Sequence, residues 1–122
     1  MRDRQPVIFF SGSFEGNGSG SAGQGGLLVN GPSNEGSFGV NVVGVYFEKN
    51  WGSADIRLSN NGATRIVEHR IYGCTFNRVS NSQFVTNNVR VERTTSGFMK
   101  AIVSENAFNG LVLTHRMFQG NI

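Results

Sequence analysis

Ile71-Tyr72-Gly73-Cys74-Thr75-Phe76-Asn77-Arg78 decides the fold, because versions of it recur on both sides. With Phe76 as reference, an apolar residue stands five positions earlier and a small or amide-bearing residue two earlier. Phe14 has Phe9 and Gly12 at those places, Phe47 has Val42 and Val45, and Phe108 has Val103 and Asn106. The four phenylalanines lie 33, 29 and 32 residues apart. Self-similarity at a period of about 20–50 residues marks a stacked array of like units. The apolar sets are short and rich in β-branched and aromatic residues, which suits strands. Alternate side chains of a strand share a face, so each Phe and the residue two before it point the same way. That face is expected to be inward. One period then forms one coil of a β-solenoid, stacked on its neighbour by strand pairing at about 4.8 Å.

The pattern apolar-x-x-Asn/Cys/Gly-x-Phe, as in Val103-Ser104-Glu105-Asn106-Ala107-Phe108, resembles the repeat motif of right-handed parallel β-helix proteins. These include pectate-lyase-like enzymes and bacteriophage tailspikes. The resemblance spans residues 7 to 121, although Val45 and Gly12 stand where Asn or Cys is more typical. It implies an all-β fold, a right-handed parallel β-helix of about four coils. A β-sandwich is the alternative, since short strands with frequent turns suit it too. The two differ in contacts: the solenoid stacks the four phenylalanines along one axis, whereas the sandwich divides them between antiparallel sheets.

The composition agrees with one compact β domain over residues 1–122, standing alone or as a piece of a longer tailspike-like chain. Seventeen Gly and ten Phe with two Pro, among few helix-forming residues, disfavour a helical bundle. The net charge of +3 is mild and charged residues make up 16% of the chain. Arg57, Arg65, Arg70, Arg78, Arg90, Arg93 and Arg116 are scattered rather than clustered, so no nucleic-acid partner is expected. No apolar run has the length of a membrane span, and the piece after Met1-Arg2-Asp3-Arg4 is too short for a secretory signal. The single cysteine, Cys74, has no internal disulfide partner and occupies the inward small position of its repeat, where a buried small hydrophobe is expected.

In chain order, Val7 to Phe10 read as the first strand, and the Gly/Ser-rich stretch from Asn17 to Gly26 as a loop. Leu27 to Val29 form a second strand, ended by Asn30-Gly31-Pro32. Val40, Val42, Val45 and Phe47 read as one continuous strand region, with Val43 and Tyr46 pointing outward. Ile56 and Leu58 form a strand ended at Asn60-Asn61-Gly62. Ile66 and Val67 open the third coil. Further strands are expected at 83–86 and 89–91, with Asn87-Asn88 a tight corner between them. The fourth coil opens at Phe98 and continues through 111–113, and Phe118 begins another copy of the motif.

Chemistry is sparse. His69 and His115, 46 residues apart, read as exposed strand residues, and no metal-ligand spacing, phosphate loop or nucleophile elbow is present, so no metal or cofactor is expected. Glu15 and Glu48 both follow the reference Phe directly. If their coils stack, they project outward about 5 Å apart at the backbone. A carboxyl pair that close can divide acid and base roles in glycoside hydrolysis, or simply splay into water and pair with Lys49. Asp55 is the third catalytic candidate, and Glu105 a further carboxylate with no placed partner. Trp51 and Tyr46 lie near Glu48 in sequence and present flat aromatic faces suited to sugar stacking or to subunit packing.

Three functions follow: a structural or glycan-receptor-binding part of a phage tailspike or fibre, a polysaccharide-degrading hydrolase or lyase, and a bacterial surface adhesin. The calcium-binding aspartates and arginine base of pectate lyases have no matching positions here. The resemblance implies cell-surface polysaccharide as ligand, a homotrimer of side-by-side helices, and a virion or extracellular setting.

Overall fold

A computed structural model describes residues 7–18, 25–31, 39–60, 66–77, 87–93, 98–109 and 116–121. Every regular element among them is a strand: β1 (Val7–Phe10), β2 (Ser13–Glu15), β3 (Leu27–Gly31), β4 (Val40–Val43), β5 (Tyr46–Glu48), β6 (Ala54–Asn60), β7 (Ile66–Tyr72), β8 (Thr75–Asn77), β9 (Asn87–Arg93), β10 (Phe98–Ser104), β11 (Ala107–Asn109) and β12 (Arg116–Asn121). They form three four-stranded sheets in the orders β1-β4-β7-β10, β2-β5-β8-β11 and β3-β6-β9-β12. Every pairing is parallel. The chain visits the three sheets in rotation, so each sequence repeat contributes one strand to each. This arrangement is compatible with a parallel β-helix, and parallel pairing throughout replaces the antiparallel order that the sandwich alternative requires.

The register carries the sequence repeat into space. Phe14, Phe47, Phe76 and Phe108 are successive register partners. Their rings stack with centroids 5.3, 4.9 and 5.2 Å apart and planes within 10° of parallel. Those separations approximate the spacing of hydrogen-bonded strands, so strand pairing itself brings the rings into contact. The expected single-axis Phe stack is present. Around it lie Val42 and Ile71 from the first sheet, Val45 and Cys74 from the corners, and Leu27, Ile56, Leu58, Val89 and Val91 from the third sheet. Burial raises the Cys74 thiol pKa, as befits an inert core residue.

Each repeat contains a corner that the alternation alone did not reveal. Val40 to Phe47 is two strands, β4 and β5, broken where Gly44 takes φ 63°. Three residues before each reference Phe stands a residue with positive φ: Ser11 at 62°, Gly44 at 63°, Gly73 at 63° and Glu105 at 57°. The left-handed backbone reverses the pleat and lets the chain leave one sheet for the next. Glycine adopts that region freely, whereas L side chains are strained in it. A Cβ on Gly44 meets nothing within 4 Å, so Gly44→Ala should cost about 1 kcal/mol through backbone strain alone. Conversely, Ser11→Gly and Glu105→Gly should gain about 0.5–1 kcal/mol. Urea-unfolding midpoints read both signs, and a neutral Gly44→Ala would contradict the strain argument.

Three further expectations change. Asn87 and Asn88 are not a corner: both lie in β9 and are buried, because Asn87 Nδ2 donates to the Ser53 carbonyl at 2.9 Å and Asn88 Nδ2 to Asp55 Oδ2 at 2.9 Å. Phe118 does not start another motif copy; it sits in β12 as the register partner of Val89. Asn30 and Gly31 extend β3 rather than turning. The strands expected at 83–86 and 111–113, and His115, fall outside the described residues.

Candidate functional site

The outer face of the second sheet follows from the Phe stack. With the phenylalanines inward, the residues on either side of each must face outward. This gives two columns, Ser13–Tyr46–Thr75–Ala107 and Glu15–Glu48–Asn77–Asn109, set by register. The two expected carboxylates, Glu15 and Glu48, are therefore neighbours across one strand pair.

Tyr46, Glu48 and Asn77 form the ordered centre of this face. Asn77 Nδ2 donates to Tyr46 Oη at 3.0 Å and to Glu48 Oε1 at 3.1 Å, while Lys49 Nζ stands 3.9 Å from Glu48 Oε1. All three of Tyr46, Glu48 and Asn77 are half-buried, whereas Glu15 is exposed. Desolvation raises the Tyr46 phenol pKa; the Asn77 hydrogen bond opposes this, and the Glu48 and Glu15 carboxylates add to it. The phenol therefore stays neutral at ordinary pH, with a hydroxyl able both to donate and to accept. One amide thus fixes a flat ring beside a carboxylate. Asn77 was absent from the sequence-based candidates, yet its position directly after Phe76 already aligned it with Glu15 and Glu48.

Trp51 lies in the link between β5 and β6. There its backbone N–H donates to Asn17 O at 2.9 Å and its carbonyl accepts from Gly25 N at 2.7 Å. Asp55 is 3% exposed at the start of β6 and belongs to a buried amide cluster rather than to the outer face. Asn50 Nδ2 donates to Asp55 Oδ1 at 2.8 Å and to Phe14 O at 2.9 Å; Asn50 Oδ1 accepts from Asn17 Nδ2 at 2.9 Å; Asn88 holds the other Asp55 oxygen. A buried carboxylate needs such donors, and here they tie three successive repeats together. Glu105 occupies an exposed corner.

Asn106, expected to be buried and bonded to the adjoining turn, is half-buried. Its Oδ1 accepts from Cys74 N at 2.8 Å and its Nδ2 donates to Ile71 O at 3.1 Å. His69 departs from expectation altogether. It is 1% exposed, with Ala101 as its register partner in β10. Its Nδ1 accepts from the Val40 N–H at 3.2 Å, and its Nε2 has no hydrogen-bond partner among the described residues. Desolvation lowers its pKa from 6.5 to about 4.

The other two outer faces carry ion pairs. On the first sheet Glu68 meets Arg70 at 2.6 Å and Lys100 at 3.1 Å, which lowers the Glu68 pKa, with Lys100 the larger cause. On the third, Arg57 and Arg90 both pair with Glu92, Arg57 at 2.8 Å. Among the described residues no group of three or more metal-ligating side chains occurs, and there is no helix long and apolar enough to cross a membrane. No family model, curated protein or solved structure matches this chain, so its functional reading rests on its own geometry.

Proposed function

We propose that the chain is a right-handed parallel β-helix of the tailspike-like class and serves as a glycan-binding structural element of a phage tailspike or fibre, in a virion or extracellular setting. The carrying observation is the Tyr46–Asn77–Glu48 array, in which a half-buried aromatic ring, a carboxylate and an amide are fixed by mutual hydrogen bonds. A sugar ring offers an apolar face for Tyr46 and hydroxyl groups for Glu48 and for the Asn77 carbonyl. Groups held in place before binding lose little conformational entropy when the ligand arrives. The first sheet supplies a lateral surface for a homotrimer: Phe10, Val43 and Tyr72 are register partners on its outside, with Phe10 77% exposed. Contiguous apolar surface of this sort is what subunit interfaces cover.

The test is calorimetric titration with bacterial surface oligosaccharides, alongside light scattering for the mass of three copies. Tyr46→Ala should weaken binding about tenfold or more, the scale of one lost aromatic contact and its hydrogen bonds, and Asn77→Ala should weaken it by a similar factor. Trp51→Ala should leave binding intact. Equal affinity of the Tyr46 variant and the parent would remove the reading.

A second reading, polysaccharide hydrolysis, is favoured by the register pairing of Glu15 with Glu48. Adjacent strands bring the two backbones to about 4.8 Å, within reach of the carboxyl separation of about 5–5.5 Å used by retaining glycosidases. Release of reducing ends by the parent and not by Glu48→Gln would select it over binding alone.

A further inference from the structure

We propose that the two ends of the strand stack bind one another, so that copies of this chain join end to end with β1–β3 of one copy paired in parallel with β10–β12 of the next. This does not rest on the glycan reading. Among the described residues, β1, β2 and β3 each have a strand partner on one side only, as do β10, β11 and β12 at the opposite end. Among the described residues all three sheets are therefore open at the same two ends.

The backbone hydrogen bonds show that these ends are complementary rather than merely exposed. Tyr46 N–H donates to Gly12 O at 3.0 Å, Thr75 N–H to Val45 O at 3.0 Å and Ala107 N–H to Cys74 O at 2.9 Å. Each second-sheet strand thus reaches back to the corner carbonyl of the preceding repeat. By the same step, the Ser13 N–H points out of the first end and the Asn106 carbonyl out of the last. The corner bonds run the opposite way: Ser11 N–H to Val43 O at 2.9 Å, Gly44 N–H to Tyr72 O at 3.0 Å and Gly73 N–H to Ser104 O at 3.4 Å. Continuing that step leaves Glu105 N–H at the last end and Phe10 C=O at the first. Donors and acceptors at one end therefore face acceptors and donors at the other, in the spacing already used between repeats.

The side chains match as well. Phe14 and Phe108 are the half-buried outer members of a four-ring stack, and an end-to-end contact lays one on the other. Val7, 37% exposed, shares an inward column with Val40, which is 1% exposed; a further copy would cover Val7 as the second repeat covers Val40. Within one copy Asn77 donates to Glu48 across a strand pair at 3.1 Å. Across the junction Asn109 stands next to Glu15 in the same column, so an amide again neighbours a carboxylate, with the carboxylate now on the following repeat. Because the two contact surfaces differ, each added copy presents the same free ends again and the assembly does not close.

Sedimentation velocity over a range of concentrations tests this. The parent should show a weight-average sedimentation coefficient that keeps rising with concentration instead of levelling at a fixed size. Ser13→Pro deletes the outward N–H without touching a bond inside the copy. It should raise the half-assembly concentration about tenfold. Added in small proportion to the parent, it should shorten the assemblies, since its β10–β12 end still docks. The double variant E15K/N109K gives an independent arm. Its lysines lie at opposite ends of one copy and meet only across a junction, so assembly should fall at low salt and recover at high salt. Circular dichroism verifies that both variants fold; if Ser13→Pro does not, E15K/N109K decides alone. Single copies at every concentration would overturn the proposal, as would a closed oligomer of fixed size that E15K/N109K leaves unchanged.

Discussion

Phe76→Ala should destabilise the fold by about 3–5 kcal/mol, the usual cost of removing a fully buried ring. Phe76 is completely buried between Phe47, 4.9 Å away, and Phe108, 5.2 Å away. Its deletion opens a void in the middle of the stack, and register fixes the flanking rings so that neither can collapse into the gap. Such a loss is a large fraction of the stability of a small domain, so the variant should unfold at much lower urea or not fold at all. Phe76→Leu keeps most of the volume and should cost less than about 1.5 kcal/mol, which makes the series measurable. Phe14→Ala and Phe108→Ala, at the half-buried ends, should each cost clearly less than Phe76→Ala when measured below the concentration of any self-association. Equal costs at all positions in equilibrium urea unfolding would contradict a stack with open ends.

The second large effect is a loss of stability on acidification, centred on His69. Its folded pKa of about 4 lies below the 6.5 of the unfolded chain. Between those values the unfolded state binds the proton and the folded state does not. Stability is therefore complete above pH 6.5, declines as the pH falls, and reaches its full loss near pH 4. The shift corresponds to about 3 kcal/mol in all, of which about 2 kcal/mol should be gone between pH 7.5 and pH 5. Among the described residues no compensating charge faces the ring: Ala101 is its register partner and the Val40 N–H donates to it, while Glu68, Arg70 and Lys100 alternate to the outside. His69→Gln retains an acceptor for the Val40 N–H but does not titrate. Its urea midpoint should be nearly flat from pH 7.5 to pH 5, whereas the parent's falls. A parent profile as flat as that of the variant would show that His69 reaches solvent.

The amide cluster makes a different contribution from the rings. The apolar columns are interchangeable in kind, so they favour stacking without distinguishing one repeat from the next. Asn50, by contrast, has specific partners in Asn17, Phe14 and Asp55, and Asp55 in turn holds Asn88. A slip of one repeat would leave a buried carboxylate and several amides unpaired, at a cost of about 1–3 kcal/mol for each neutral group. Gly39 acts in the same sense through shape. A Cβ there would come within 2.5 Å of the Glu68 carbonyl oxygen, so the approach of β4 to β7 requires a glycine at that position.

The sequence by itself determined the period, the inward phenylalanine column and the outward placement of Glu15, Glu48 and Tyr46. These follow from strand alternation and from the strong preference of phenylalanine for the interior, both of which act within a few residues. His69 was legible in principle, since it precedes the inward Ile71 by two positions, but the general tendency of histidine to sit near solvent pointed the other way. Only the tertiary structure decided the rest. Asparagine's affinity for turns made Asn87-Asn88 read as a corner, until Ser53 and Asp55, 34 and 33 residues away, supplied partners that hold both in a strand. Ser11 and Glu105 carry no local sign of positive φ; the chain's passage between sheets imposes it. Asp55 read as a catalytic candidate, and the donors of Asn50 and Asn88 hold it in a buried amide cluster instead. The Tyr46–Asn77–Glu48 array likewise joins residues up to 31 positions apart. Periodicity reports which face a side chain takes; its partners are fixed by which strands pair, and that is settled only when the repeats stack.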